Sequence, residues 1–253
     1  MNPRMFDLTG KVAIVTGSNT GLGAGMAIAL AQAGCDIVGV YHSTPGDTPG
    51  VVRELGRRCV DVAADLATLE PVERIVREAV AAYGRIDVLV NNAGTIRRSD
   101  ALDFSEADWD SVTDVNLKSV FFLAQAAARQ FVAQKSGGKI INVASMLSFQ
   151  GGIRVASYTA AKSGVLGLTR LLANEWAERG INVNALAPGY MATRNTEQLR
   201  DDARRNGEIL ARIPAGRWGV PDDLAGPVVF LASRASDYVH GHTLAVDGGW
   251  LAR

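Results

Sequence analysis

Hydrophobic and polar positions along this chain fall into two alternating patterns. Short apolar runs, rich in β-branched residues, recur at Val12–Thr16, Asp36–Tyr41, Cys59–Ala63, Ile86–Val90, Lys139–Ala144, Ile181–Ala187 and Thr243–Val246. Runs of this length without period-two alternation mark strands buried on both faces. Between them lie longer helix-prone segments: Ala24–Ala33, Thr68–Tyr83, a stretch from Ser105 to about Gln134, Ser157–Arg179, and one opened by Pro221. Strand and helix therefore take turns, which predicts an α/β chain with a parallel sheet. There is no internal repeat and no low-complexity tract.

Residues with chemistry to offer gather where the predicted strands end. The first strand opens onto Thr16-Gly17-Ser18-Asn19-Thr20-Gly21-Leu22-Gly23 and then a helix. Strand, glycine turn and helix together present free amides at a helix N-terminus, where a pyrophosphate binds. Gly17 permits the tight turn, and Gly21 and Gly23 permit close approach of the backbone. The spacing is Gly-x-x-x-Gly-x-Gly, and any tight βα turn also needs glycine. The second strand ends in Tyr41-His42-Ser43, with neither an acid for the ribose hydroxyls nor an arginine for a 2′-phosphate. Asp36 comes too early, and Asp47 lies in a Pro/Gly loop. The missing cation favours NAD over NADP, and His42 reads as a solvated loop residue. After the third strand, Asp65 either accepts a hydrogen bond from an adenine amino group or caps the following helix, and both can hold.

The fourth strand ends in Asn91-Asn92-Ala93-Gly94, small enough to pack against a cofactor, and then Thr95-Ile96-Arg97-Arg98. The two arginines either meet an anionic substrate or are solvated. Ser105-x-x-Asp108 reads as a helix start. Asn116, flanked by Val115, Leu117, Val120, Phe121 and Phe122, is predicted to be buried. A buried amide needs partners, so it either supports the active site and a water or makes a core hydrogen bond with no catalytic part. Ser145 ends the fifth strand. Tyr158 and Lys162, four apart, share one helix face. These three could act on one carbonyl oxygen: Ser145 as hydrogen-bond donor, Tyr158 as proton donor, and Lys162 as the charge that acidifies the phenol. Bringing a phenol from about 10 to about 7 requires roughly 4 kcal/mol, which a lysine cation and an oxidised nicotinamide could supply together. The sixth strand ends in Pro188-Gly189-Tyr190-Met191-Ala192-Thr193, a turn suited to closing over nicotinamide. The segment 190–215 is expected to be a substrate lid, since the polar Arg194–Arg212 has little core to join.

Composition narrows the reading further. The chain has 253 residues, 47% of them hydrophobic, which suffices for a full core in one large domain. Its 26 basic and 26 acidic residues balance, which argues against nucleic acid or an anionic membrane as partner. Met1–Gly10 has no apolar signal core, and no stretch has about 18 uninterrupted apolar residues. With two cysteines, Cys35 and Cys59, the expected setting is a reduced cytoplasm. His42, His240 and His242 are not at ligand spacing, so no metal is expected. No Gly-x-Ser-x-Gly turn is present, so Ser145 reads as a donor rather than a nucleophile.

Taken jointly, Thr16-Gly17-x-x-x-Gly21-x-Gly23, Asn91-Asn92-Ala93-Gly94, Asn116, Ser145, Tyr158-x-x-x-Lys162 and Pro188-Gly189 resemble the short-chain dehydrogenase/reductase family across nearly the whole chain. The resemblance implies a single doubly wound Rossmann domain over 1–253, with seven parallel strands and helices on both faces. It also implies a homotetramer and hydride transfer at a nicotinamide. In those terms Tyr158 is the general acid/base, Ser145 positions the carbonyl, Lys162 binds the nicotinamide ribose, and Asn116 supports a proton-relay water. The implied cofactor site comprises Gly17, Asn19, Thr20, Gly21, Leu22, Gly23, Tyr41, Asp65, Leu66, Asn92, Ala93, Gly94, Tyr158, Lys162, Pro188, Gly189, Met191 and Thr193.

Further stretches, among them Ser145–Val155, Ala187–Thr193 and Ile213–Gly219, resemble the 2-dehydro-3-deoxy-D-gluconate 5-dehydrogenases, also called 2-deoxy-D-gluconate 3-dehydrogenases. That narrower likeness implies NAD(H)-linked interconversion of a ketone and an alcohol on a deoxy sugar acid, in uronate and pectin breakdown. The substrate would meet Ser145 and Tyr158, with its carboxylate on Arg98 or Arg154, and Arg97 and Gln150 behind them. The competing readings are an NADPH-dependent 3-oxoacyl-carrier reductase and a non-catalytic NAD(H)-binding scaffold. The first predicts a basic docking face, and the second predicts loss of Tyr158 or Lys162.

Overall fold

The apolar runs assemble into a single parallel sheet. A computed structural model describes residues 3–253, so of the Met1–Gly10 stretch Met1 and Asn2 lie outside the described residues. The strands are β1 (Val12–Thr16), β2 (Asp36–Tyr41), β3 (Cys59–Ala63), β4 (Val88–Asn91), β5 (Gly138–Val143), β6 (Ile181–Pro188) and β7 (Thr243–Val246). Their order is β3-β2-β1-β4-β5-β6-β7, and every pairing is parallel. The winding reverses between β1 and β4, which opens a crevice at their carboxyl ends.

Both faces of the sheet are covered, as continuous apolar strands require. On one side pack α3 (Val72–Tyr83), α5 (Ser119–Ala133) and α6 (Ala156–Trp176) through Ile75, Leu123, Phe131 and Leu172. On the other pack α1 (Gly21–Gln32), α2 (Thr48–Glu54) and α9 (Ala225–Ala232) through Met26, Leu30, Val52 and Val228. The chain is thus a doubly wound Rossmann-like fold with seven parallel strands.

Four local expectations need correcting. The helix after Asp65 begins only at Val72, because Pro71 forces Glu70 out of the helical region. Asp65 therefore does not cap it, but accepts the Ala67 amide at 2.9 Å in the preceding turn. The Pro/Gly loop holds α2, whose Pro49 sits in the first turn, where proline costs no hydrogen bond. The stretch after Ser105 is helical but not uniform. α4 (Glu106–Thr113) and α5 are joined by a π-helical turn, Asp114–Lys118, which contains Asn116. Ser105 caps α4 by accepting the Asp108 amide at 3.1 Å. Lastly, the polar segment after β6 does join a core. It folds into α7 (Glu197–Asp201) and α8 (Ala203–Arg212), and α8 places Ile209 beside Ile213 and Trp250, all three buried.

The layers that position the site are tied by a buried polar chain. Asn91 Nδ2 donates to Asn142 Oδ1 at 3.0 Å, and Asn142 Nδ2 donates to Thr169 Oγ1 at 3.0 Å. β4, β5 and α6 are thereby held in one register. Replacing Asn142 by Ala removes both of these bonds, leaving Asn91 its bond to Val120 O and Thr169 its bond to Val165 O, at about 2 kcal/mol. The melting temperature is expected to fall by about 4–8 °C on differential scanning calorimetry.

Candidate active site

The loops at the crevice are cross-linked before any side chain faces outward. Thr16 Oγ1 accepts the amides of Asn92 and Ala93, both at 2.9 Å. Asn92 Nδ2 returns bonds to the carbonyls of Thr16 (2.9 Å) and Gly17 (3.3 Å). Gly17 and Gly21 sit at φ +63° and +56°, the left-handed region that favours glycine. A Cβ on Gly23 would lie 2.0 Å from Gly17 O, so no side chain fits there. On the far side Asn116, fully buried, accepts the Thr95 amide at 2.8 Å and donates to the Thr95 carbonyl at 2.9 Å. Its side chain thus holds the loop after β4 and keeps one N–H and one oxygen lone pair for a further partner. Ser145 follows β5 and caps a short turn, accepting the Leu147 amide at 3.2 Å. Ser148 Oγ accepts the Ser145 amide (3.3 Å) and donates to Lys162 O (2.6 Å), tying that turn to α6.

A cleft of about 680 Å³ results, lined from the glycine turn to Thr193 and beyond, with Ser145, Tyr158 and Lys162 on its wall. The N-terminus of α1 opens into it, and Thr20 makes no side-chain cap. Those amides are left for an external acceptor, so the cradle fits a dinucleotide pyrophosphate. Among the described residues no cluster of three or more His, Cys, Asp and Glu is placed to hold a metal. No helix there is long and apolar enough to cross a membrane.

Comparison with known proteins agrees with this geometry. A family model described as enoyl-(acyl carrier protein) reductase matches residues 17–251. The chain belongs to the short-chain dehydrogenase/reductase family. It is 66% identical to the 2-dehydro-3-deoxy-D-gluconate 5-dehydrogenase of Escherichia coli, over 98% of each chain. It is 64% identical to the enzyme of the same name from Dickeya dadantii, again over 98% of each. A gluconate 5-dehydrogenase from Burkholderia cenocepacia, solved with NADP and tartrate, superposes with a TM-score of 0.94 at 41% identity, over 98% of each chain. This dehydrogenase is thus an oxidoreductase acting on a CH–OH group with a nicotinamide cofactor.

Most of the residues expected at the dinucleotide line this one cleft: Gly17, Asn19 to Gly23, Asn92, Ala93, Gly94, Tyr158, Lys162, Pro188, Gly189, Met191 and Thr193. Tyr41, Asp65 and Leu66 do not. Tyr41 closes β2, the Leu66 side chain is buried in the core under α3, and Asp65 is exposed, 4.0 Å from His42 Nε2. Of the residues expected at the substrate, Arg98 acts on Tyr158 through its charge and donates to Asn195 O at 3.2 Å. Arg154 pairs with Asp100 at 3.1 Å, Gln150 accepts Arg212 at 3.1 Å, and Arg97 pairs with Asp108 at 3.4 Å. None of these four lines the cleft. Arg194, Asn195, Glu197 and Arg200 do line it, and sequence reading passed over them. The available signal was Leu199, an apolar residue inside that polar stretch. It packs against the apolar cluster of Ile209, Ile213 and Trp250, on the short helix that also carries Arg200 to the cleft.

The titrating groups are set by burial. Lys162 is 4% exposed, and burial lowers its amine from 10.5 to about 8. Its Nζ donates to Val143 O at 2.6 Å. Burial raises the Tyr158 phenol, while a hydrogen bond with Ser145 and the charge of Arg98 pull it down. The Lys162 ammonium, expected to acidify the phenol, lies over the Tyr158 ring, 5.7 Å from its centroid.

Two outcomes follow. Tyr158→Phe is expected to cut turnover about 10²–10⁴-fold while NADH binding, read by fluorescence titration, is unchanged. Lys162→Met is expected to abolish turnover yet stabilise the unliganded chain by on the order of 3 kcal/mol at pH 7, because the buried charge is gone. The amine gives up its proton at about 8 when folded and 10.5 when unfolded, so the stability that Lys162 costs shrinks as pH rises across that window. In urea melts at several pH values, the stability advantage of the Met variant over the wild type is expected to shrink across it.

Proposed function

We propose that this dehydrogenase interconverts a ketone and a secondary alcohol on a deoxy sugar acid, as 2-dehydro-3-deoxy-D-gluconate 5-dehydrogenases do, using NAD(H). The observation that carries the reading is the company of Tyr158. A hydroxyl, Ser145, and a cation, Arg98, act on the same phenol in a cleft shaped for a dinucleotide. The nicotinamide, when bound, supplies or accepts the hydride. Ser145 Oγ donates to the substrate carbonyl oxygen and fixes its direction, and Tyr158 Oη gives its proton to that oxygen as it becomes an alcohol. Lys162 Nζ returns a proton toward Tyr158, and Asn116 holds the loop carrying Gly94 and Thr95 in place for this.

Arg98 takes the substrate carboxylate, since it is the arginine of the expected set whose charge reaches Tyr158. The segment 190–215 acts as a lid, and Arg98 already reaches its Asn195 carbonyl. NAD(H) is favoured at the end of β2, where the exposed Asp65 carboxylate beside His42 would repel a 2′-phosphate. The free thiols of Cys35 and Cys59, both pushed up by burial, suit a reducing cytoplasm. A homotetramer belongs to the same reading, supported by half-exposed Val132 on α5 and Leu171 on α6.

The test is turnover of reduced nicotinamide, followed by its absorbance, with NADH and NADPH against deoxy sugar acids, neutral ketoses and 3-oxoacyl thioesters. Sugar acids with NADH are expected to give the highest kcat/KM, and a preference for acyl thioesters with NADPH would refute the reading. Arg98→Gln is expected to raise KM for the sugar acid about 10–100-fold. Because Arg98 lowers the Tyr158 phenol, the same change is expected to move the onset of alcohol oxidation to higher pH. Unchanged KM and pH profile would remove Arg98 from the site.

A further inference from the structure

Arg200 carries one shielded donor nitrogen with no acceptor. Its Nη2 donates to Thr193 O at 3.1 Å, while its Nε is shielded from solvent and meets no partner. A guanidinium nitrogen left in that state is costly, and Arg200 lines the cleft. Nor is the side chain free to swing away. Thr196 Oγ1 donates to Met191 O at 2.6 Å and accepts the Thr193 amide at 3.2 Å, which locks the turn from which α7 springs. Leu199 anchors α7 in the apolar cluster below.

Position separates Arg200 from Arg98. Arg98 acts on Tyr158, at the reacting end. Arg200 is fastened to Thr193, and Thr193 Cγ2 would stand 3.7 Å from a Cβ built on Gly21, in the first turn of α1. Arg200 and the uncapped N-terminus of α1 thus line one cleft, with Thr193 between them in contact with both. An anion resting on that helix end would meet the α1 amides on one side and the segment that carries Arg200 on the other.

From this we infer that Arg200 is a clamp on the dinucleotide's pyrophosphate, closing from the segment after β6 onto the charge that α1 receives from below. The inference rests on the dinucleotide reading of the cleft. It assigns to Arg200 a cofactor-holding task distinct from recognition of the substrate carboxylate.

Binding without turnover tests it. NADH and ADP-ribose are titrated into the wild type, Arg200→Gln and Arg200→Lys, with thermal melting of each unliganded protein alongside. Arg200→Gln is expected to weaken both ligands by the same factor, about 10–100-fold, with Arg200→Lys falling between. Equal loss for ADP-ribose locates the contact away from the nicotinamide. The dependence of NADH affinity on salt is expected to flatten in Arg200→Gln, since one charge contact is gone. Should Arg200→Gln fail to fold, the Lys variant carries the test, with the same equal loss expected for both ligands. Unchanged NADH affinity with a raised KM for the sugar acid would overturn the inference and hand Arg200 to the substrate. Arg200→Lys no better than Arg200→Gln would overturn it too, by tracing the loss to the Thr193 carbonyl. A wild type that binds neither ligand would overturn the dinucleotide reading itself, whereas normal binding by every variant would overturn only the role of Arg200.

Discussion

An ammonium taken out of water, with the carbonyl of Val143 as its hydrogen-bond acceptor, is the contact on which the rest of this cleft depends. Lys162 reaches that carbonyl only because β5 delivers Val143 to the sheet's carboxyl edge and α6 crosses directly behind it. The same crossing puts Tyr158 one turn earlier on α6, opposite Ser145. Ser148 then ties the Ser145 turn to the Lys162 carbonyl. Burial penalises both titrating groups, raising the phenol and lowering the amine. The protein tolerates this because the sheet beneath, with its two covered faces, is stable without them. Local strain at a site, compensated by a sound scaffold, is the ordinary arrangement for catalysis.

Backbone amides and carbonyls, more than side-chain charges, hold the crevice walls in position. Thr16, Asn92 and Asn116 together bond to backbone atoms of residues 16, 17, 92, 93 and 95, stitching the loops after β1 and β4 to each other and to the π turn. Asparagine suits this work because its amide both donates and accepts, mimicking a peptide group. The glycine turn needs its small residues for the complementary reason: the space where side chains would stand is already occupied by neighbouring backbone and by Asn92.

Much of this was legible in the sequence. Continuous apolar runs alternating with helix-period segments require a covered parallel sheet, and the seven strands stand where the runs are, within about two residues. Ser145, Tyr158 and Lys162 were legible because strand end and helix face are fixed by periodicity. What escaped depended on contacts distant in sequence. α2 was hidden because Pro49 and Gly50 read as loop signals, although proline is harmless in a first turn. Arg200 was hidden because the apolar cluster that Leu199 joins is built from residues distant in sequence. The relation of Lys162 to Tyr158 was half legible. Spacing put them on one face, but only coordinates show the ammonium over the ring.

The π turn at Asp114–Lys118 has a consequence for how this chain can vary. Each residue in a helix advances the face by about 100°, so the wider turn changes the phase of everything after it. α4 can then meet α6 while α5 meets α3 and the sheet, with Asn116 facing the Thr95 loop between them. Loops between strands can gain or lose residues at little cost. The span from Ser105 to Ala133 cannot, because a single insertion would rotate Phe131 out of the core or Asn116 away from the loop it holds.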